Sequence, residues 1–122
     1  MDTRLREGIR LFNKRQFFEC HEVLEALYQE TEAANKPFVE ALIQVAAAFR
    51  LFSEFGEVKG PVRMIYQALV RFENYQPEFL QVRVEELSPT LENWAQQAQQ
   101  APSRPLATSI PRIPLQRTGF FS

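Results

Sequence analysis

Cysteine and histidine are the scarcest chemistry-bearing residues here: one of each in 122 positions, beside only four glycines. One Cys leaves no internal disulfide to form, so nothing in the chain calls for an oxidising compartment. One Cys and one His also fall short of the four positions that a structural zinc site normally fills with those residues. No stretch reaches 18 uninterrupted apolar residues, and the opening MDTRLREGIR is too charged for a signal peptide. A cytoplasmic protein without membrane association is therefore expected. A Ser-centred nucleophile elbow, a Gly-rich phosphate loop and an EF-hand pattern are missing as well. Charge of one sign is lacking overall, since 14 Lys and Arg face 15 Asp and Glu for a formal net charge of -1. With 45% hydrophobic residues the chain is no disordered tail, and its length allows one domain.

The balance hides an uneven distribution. Residues 1–100 carry 11 basic and 15 acidic side chains, whereas 101–122 carry Arg104, Arg112 and Arg117 with no acid. Pro102, Pro105, Pro111 and Pro114, half of all prolines, fall in that last stretch. Proline lacks a backbone donor and fixes φ, which bars helix and central strand there. The chain therefore reads as a folded domain at 1–100 and an extended, Pro-rich basic tail at 101–122. The tail is expected to lack fixed structure, although its terminal Phe120 and Phe121 offer a partner something to hold.

Helical spacing runs through the domain. Leu5, Ile9 and Phe12 form a first stripe that breaks near Asn13, and Phe17, His21, Leu24 and Tyr28 form a second. This short-turned hairpin is similar to a single tetratricopeptide unit, but no second copy follows at a period near 34 residues. A third helix spans Pro37 to Phe55, with Gln44 the only polar side chain in ALIQVAAAF (41–49). Being apolar on nearly every side, it belongs at the centre of a bundle. Gly56 stops it, and Gly60-Pro61 opens a fourth helix that ends by Tyr75, ahead of Pro77. Residues 78–87 alternate enough to be briefly extended. Ser88-Pro89 then reads as the cap and first-turn Pro of a last helix reaching about Gln100. The fold class is all-α, a compact bundle of about five helices.

One constellation carries chemistry. At about 100° per residue, positions 17, 21, 24 and 28 share a ~60° arc, which places His21 within the buried stripe and Glu25 one turn above it. Two readings follow. In the first, His21, Glu25, Tyr28 and Gln44 close a buried hydrogen-bond network that fixes how the second and third helices register. In the second, His21, Glu25 and Glu22 are ligands of a divalent metal, completed by Gln44. Carboxylates with one imidazole favour manganese, iron or magnesium, with zinc as a further candidate cofactor.

The runs FNKRQFFECHEVLEALY (12–28) and EALIQVAAAFRLF (40–52) resemble the bacterial and archaeal domain-of-unknown-function family 309. Its His-x-x-x-Glu-x-x-Trp/Tyr motif after Phe-Phe-Glu matches Phe17, Phe18, Glu19, His21, Glu22, Glu25 and Tyr28. Leu42, Ile43 and Gln44 match its Leu-Ile-Gln helix, and Gly56 and Gly60 its glycine-containing turn. The resemblance covers roughly residues 5–75 and implies a small all-helical protein whose His/Glu motif is a suggested metal site. Two positions depart from it. Ala41 stands where relatives often have Gly, and Arg50 where they have a His one turn beyond the alanine run. Guanidinium cannot coordinate a cation, so Arg50 is expected to pair with a carboxylate of the second helix instead.

Cys20 points about 100° away from His21 on a helix and so reads as a small buried hydrophobe, not a nucleophile. Nucleic-acid binding is not expected, because the domain is net acidic and Arg4, Arg6, Arg10, Lys14 and Arg15 look interspersed around the first helix. With 11 Phe, three Tyr and one Trp, some rings should cover an interface with a second copy or another protein. The residues thus favour a non-catalytic protein-interaction or self-associating module, which leans away from an enzyme. The alternative is a metal-binding protein or metal-dependent hydrolase built on His21, Glu25 and Glu22.

Overall fold

The computed structural model describes residues 1–100 and 110–116. Among them are five α-helices and no extended sheet: α1 (Thr3–Asn13), α2 (Phe17–Gln29), α3 (Lys36–Phe55), α4 (Lys59–Phe72) and α5 (Val84–Gln100). Short 3-10 turns at Ala33–Asn35 and Glu73–Tyr75 lead into α3 and out of α4. The all-α expectation holds, and no helix of the described residues is long and apolar enough to cross a membrane.

Local chemistry sets the ends. The Asp2 carboxylate caps α1, accepting from the backbone N–H of Arg4 at 2.7 Å and of Leu5 at 3.4 Å. Pro37 occupies the first turn of α3, where its missing N–H costs no helical bond. Gly56 ends α3 at φ 68°, a left-handed conformation that glycine adopts without strain. The reversal between α1 and α2 takes the same conformation at Arg15, with φ 65°.

Each helix packs on its neighbour in the chain from α1 to α4, and α5 returns onto α4. Buried side chains spread around α3, including Phe38, Leu42, Val45, Phe49 and Phe52, as expected of a central helix. At the α1–α2 crossing, a Cβ built on Gly8 would lie 2.7 Å from Leu24 Cδ2 and 3.0 Å from its Cγ. Gly8 therefore lets two backbones approach more closely than any side chain would permit.

Two expectations need correction. The last helix begins at Val84 and not at Ser88-Pro89, so Pro89 lies inside α5. Proline there forfeits one intrahelical bond. Burial of Val84, Leu87, Leu91 and Trp94 along one face outweighs that loss. Ahead of α5, Phe79 and Val82 exchange backbone bonds at 3.0 and 2.8 Å across Leu80 and Gln81, both at positive φ. The brief extended stretch is thus a tight hairpin turn.

The second correction concerns the tail. Residues 110–116 do not hang free: Ile110 and Ile113 belong to the core. The Asn13 side chain donates to Ile113 O at 3.2 Å and accepts from Ile113 N–H at 2.8 Å, like one rung of a ladder. Arg15 donates to the carbonyls of Ile110 and Pro111. Backbone bonds from Arg83 N–H to Pro114 O and from Gln116 N–H to Gln81 O hold the far end. The rest of the expected tail, 101–109 and 117–122 with Phe120 and Phe121, lies outside the described residues.

Replacing Gly8 by alanine should cost about 1–3 kcal/mol in urea denaturation, because fully buried Leu24 has little room to yield. Combined with Leu24→Ala, which vacates that space, the cost should be clearly less than additive. Additive behaviour would show that the two side chains do not collide.

Candidate functional site

The phase of α2 decides where His21 lies. Its buried residues are Phe17, Cys20, Leu24 and Leu27, so the centre of the stripe falls between Cys20 and Leu24. His21 is displaced to the edge, with 32% of its side chain exposed, and Glu25 is 45% exposed. The reason is physical: a thiol and two leucines lose less by leaving water than an imidazole and a carboxylate do. None of the core residues is polar or charged. The expected buried network of His21, Glu25, Tyr28 and Gln44 is therefore not present as such.

His21 Nε2 lies 3.7 Å from Glu25 Oε1, and its Nδ1 lies 3.9 Å from Glu22 Oε1. The two carboxylates thus attend opposite nitrogens of one ring. They do not converge on a shared point, and no three His, Cys, Asp or Glu side chains of the described residues are grouped to hold a metal ion. A divalent ion that prefers several oxygen or nitrogen donors does not fit a donor set in which only one carboxylate sits at each ring nitrogen.

Gln44 turns away from α2 altogether. Its Nε2 donates to Gln67 Oε1 at 3.1 Å, and its Oε1 accepts from Arg71 Nη1 at 2.9 Å. Arg71 Nη2 reaches Glu40 Oε1 at 3.3 Å. A polar ladder of Glu40 and Gln44 on α3 against Gln67 and Arg71 on α4 thus joins the two helices. The matching i, i+4 spacing on both helices was the available signal for it. Tyr28 instead stacks under Lys36, whose Nζ is 4.5 Å from the ring centroid.

Arg50 does not pair with α2 through a carboxylate. Its Nε donates to Glu54 Oε2 at 2.8 Å within α3, and the guanidinium lies over the ring of Phe18 at 4.6 Å. It also lies 5.9 Å from the centroid of Phe55. Phe18 is 43% exposed and Phe55 62% exposed, so two open aromatic rings flank one guanidinium at the α2–α3 surface.

Three grooves lie elsewhere. One of about 550 Å³ runs between Asn13, Glu86, Thr90 and the 110–116 segment. Another, of about 490 Å³, is lined by Val58, Val62, Tyr66 and Gln99. A third, of about 480 Å³, lies between α1 and Arg112. His21, Glu22 and Glu25 line none of these three.

Cys20 is buried, and desolvation pushes its thiol up to about 12. An unfolded cysteine ionises near 8.5, so the fold favours the neutral thiol. That contribution is complete below pH ~8.5 and is lost as pH rises toward 12. Stability of the native chain should fall more steeply over this window than that of Cys20→Ala, as read by denaturation at a series of pH values. Equal slopes would place the thiol in water. His21→Ala, removing a half-exposed ring with no short hydrogen bond, should change stability by less than about 1 kcal/mol. A loss of 3 kcal/mol or more, on the scale of about that for a broken buried pair, would restore the buried network.

No curated protein matches the chain. The model of the family described as domain of unknown function (DUF309) matches residues 5–64, from α1 into α4, and over those residues the chain is similar to that family.

Proposed function

We propose that the chain is a non-catalytic, self-associating protein-interaction module, and that a second copy docks on the Phe18–Arg50–Phe55 surface. The observation that carries this reading is the pair of exposed rings around Arg50. Aromatic and arginine side chains supply most of the binding energy at protein interfaces, because they bury large areas at small entropic cost. Holding Arg50 between two rings and against Glu54 removes much of its rotamer freedom before any partner arrives. A charged rim is supplied by Glu54, which holds Arg50, and by Glu19, Glu22 and Glu57, exposed within four residues of Phe18 or Phe55 in the sequence. That is the arrangement of an interface core and its rim.

Light scattering over a concentration series should show the native chain passing from monomer to dimer below about 0.5 mM. Phe18→Ser with Phe55→Ser should weaken that association at least about tenfold while leaving the helical spectrum unchanged. A native chain that remains monomeric throughout the series would end this reading.

A further inference from the structure

The positive charge of α1 is not spread around the helix in the way its sequence implies. Arg6, Arg10 and Lys14 recur at i, i+4 and i+8, and all three line the groove of about 480 Å³. The opposite wall is Arg112 and Leu115 from the 110–116 segment. Arg15 and Asn13 pin that segment in place and so bring Arg112 beside α1. Glu7 binds Arg10, but Arg6, Lys14 and Arg112 make no ion pair among the described residues. Three cations without an ion-pair partner among the described residues thus face one groove, Lys14 within electrostatic reach of Glu7, on a chain whose first 100 residues carry an excess of acid.

We propose that this groove binds an extended acidic segment of a partner protein, with carboxylates at alternate positions. Along α1 the cations rise about 6 Å at each step of four residues. Same-side side chains of an extended peptide repeat at about 6.6–6.8 Å, so carboxylates four residues apart span the ~12 Å from Arg6 to Lys14, and the one between them meets Arg10 in competition with Glu7. Leu115, 36% exposed at the groove's edge, offers an apolar contact to an intervening side chain. The lining has no aromatic ring on which a nucleobase could stack, which favours peptide over single-stranded nucleic acid. The run from Arg6 to Lys14 is only ~12 Å long, and the acidic body beyond it repels a longer polyanion.

The site is separate from the Phe18–Phe55 surface, so the two can fail independently. The probe is a fluorescein-labelled seven-residue peptide with glutamate at alternate positions and leucine between them, followed by fluorescence anisotropy. Saturable binding is expected at 50 mM salt, weakening several-fold at about 300 mM as the charges are screened. Arg6→Glu with Lys14→Glu should weaken it at least about tenfold, and Arg112→Glu alone by about threefold to tenfold. Phe18→Ser with Phe55→Ser should bind as the native chain does. Circular dichroism and melting of each variant establish that it is folded. The proposal is overturned by absence of saturation below about 2 mM peptide. Unchanged affinity in the folded charge-reversal variant, or tighter binding of an eight-nucleotide oligothymidine, overturns it equally.

Discussion

Phe49 is where four of the five helices meet, and the remainder of the architecture is arranged around its ring. Its centroid lies 5.9 Å from Phe12 of α1, 6.1 Å from Phe17 of α2 and 4.8 Å from Trp94 of α5. The Phe12 and Trp94 contacts are edge-on, as the quadrupole of an aromatic ring prefers. Trp94 also packs edge-on against Phe52 one turn away, at 5.0 Å. Its indole N–H finds no acceptor among the described residues. A helix carrying such a hub cannot lie at the surface, which is why α3 is apolar on nearly every side.

That constraint also explains which groups are left for function. Since the interior is filled by rings and aliphatic side chains, every charged side chain among the described residues is pushed to a boundary. His21 is moved off the stripe by one residue, Gln44 is directed toward α4, and Arg50 lies across Phe18 at the rim. Groups that would have formed a buried reactive centre become parts of separate surface features. The chain then offers its environment faces, an aromatic one between α2 and α3 and a cationic one along α1, in place of an enclosed pocket around its histidine.

The sequence was most legible where one physical signal acted alone. The periodicity of α1, the apolar run of α3, and Gly56 as its stop all describe the fold as found. Reading failed where two signals competed. At Pro89 the local rule against proline inside a helix lost to burial of Val84 and Leu87, residues whose neighbours are distant in sequence. At His21 the error was a single position in phase, since residues 17 and 24 fit either stripe and only packing against other helices chooses Cys20. The partners of Gln44 could not be found within one helix, because Gln67 and Arg71 stand 23 and 27 residues away. Within 110–116, Pro111 and Pro114 correctly excluded helix, yet they did not reveal that Ile110 and Ile113 would enter the core.

The rung between Asn13 and Ile113 spans 100 residues of chain. The α1–α2 and α3–α4 hairpins need only neighbouring sequence and can form while the chain is still being synthesised, at a translation rate of about 5–20 residues per second. The rung cannot, because Ile113 leaves the ribosome after all five helices. Closing so long a loop brings its entropic cost at the end, when the rest of the molecule is already rigid. The cationic groove, one wall of which is that late strand, is therefore a property of the finished chain: a nascent or prematurely terminated copy presents the helices without it.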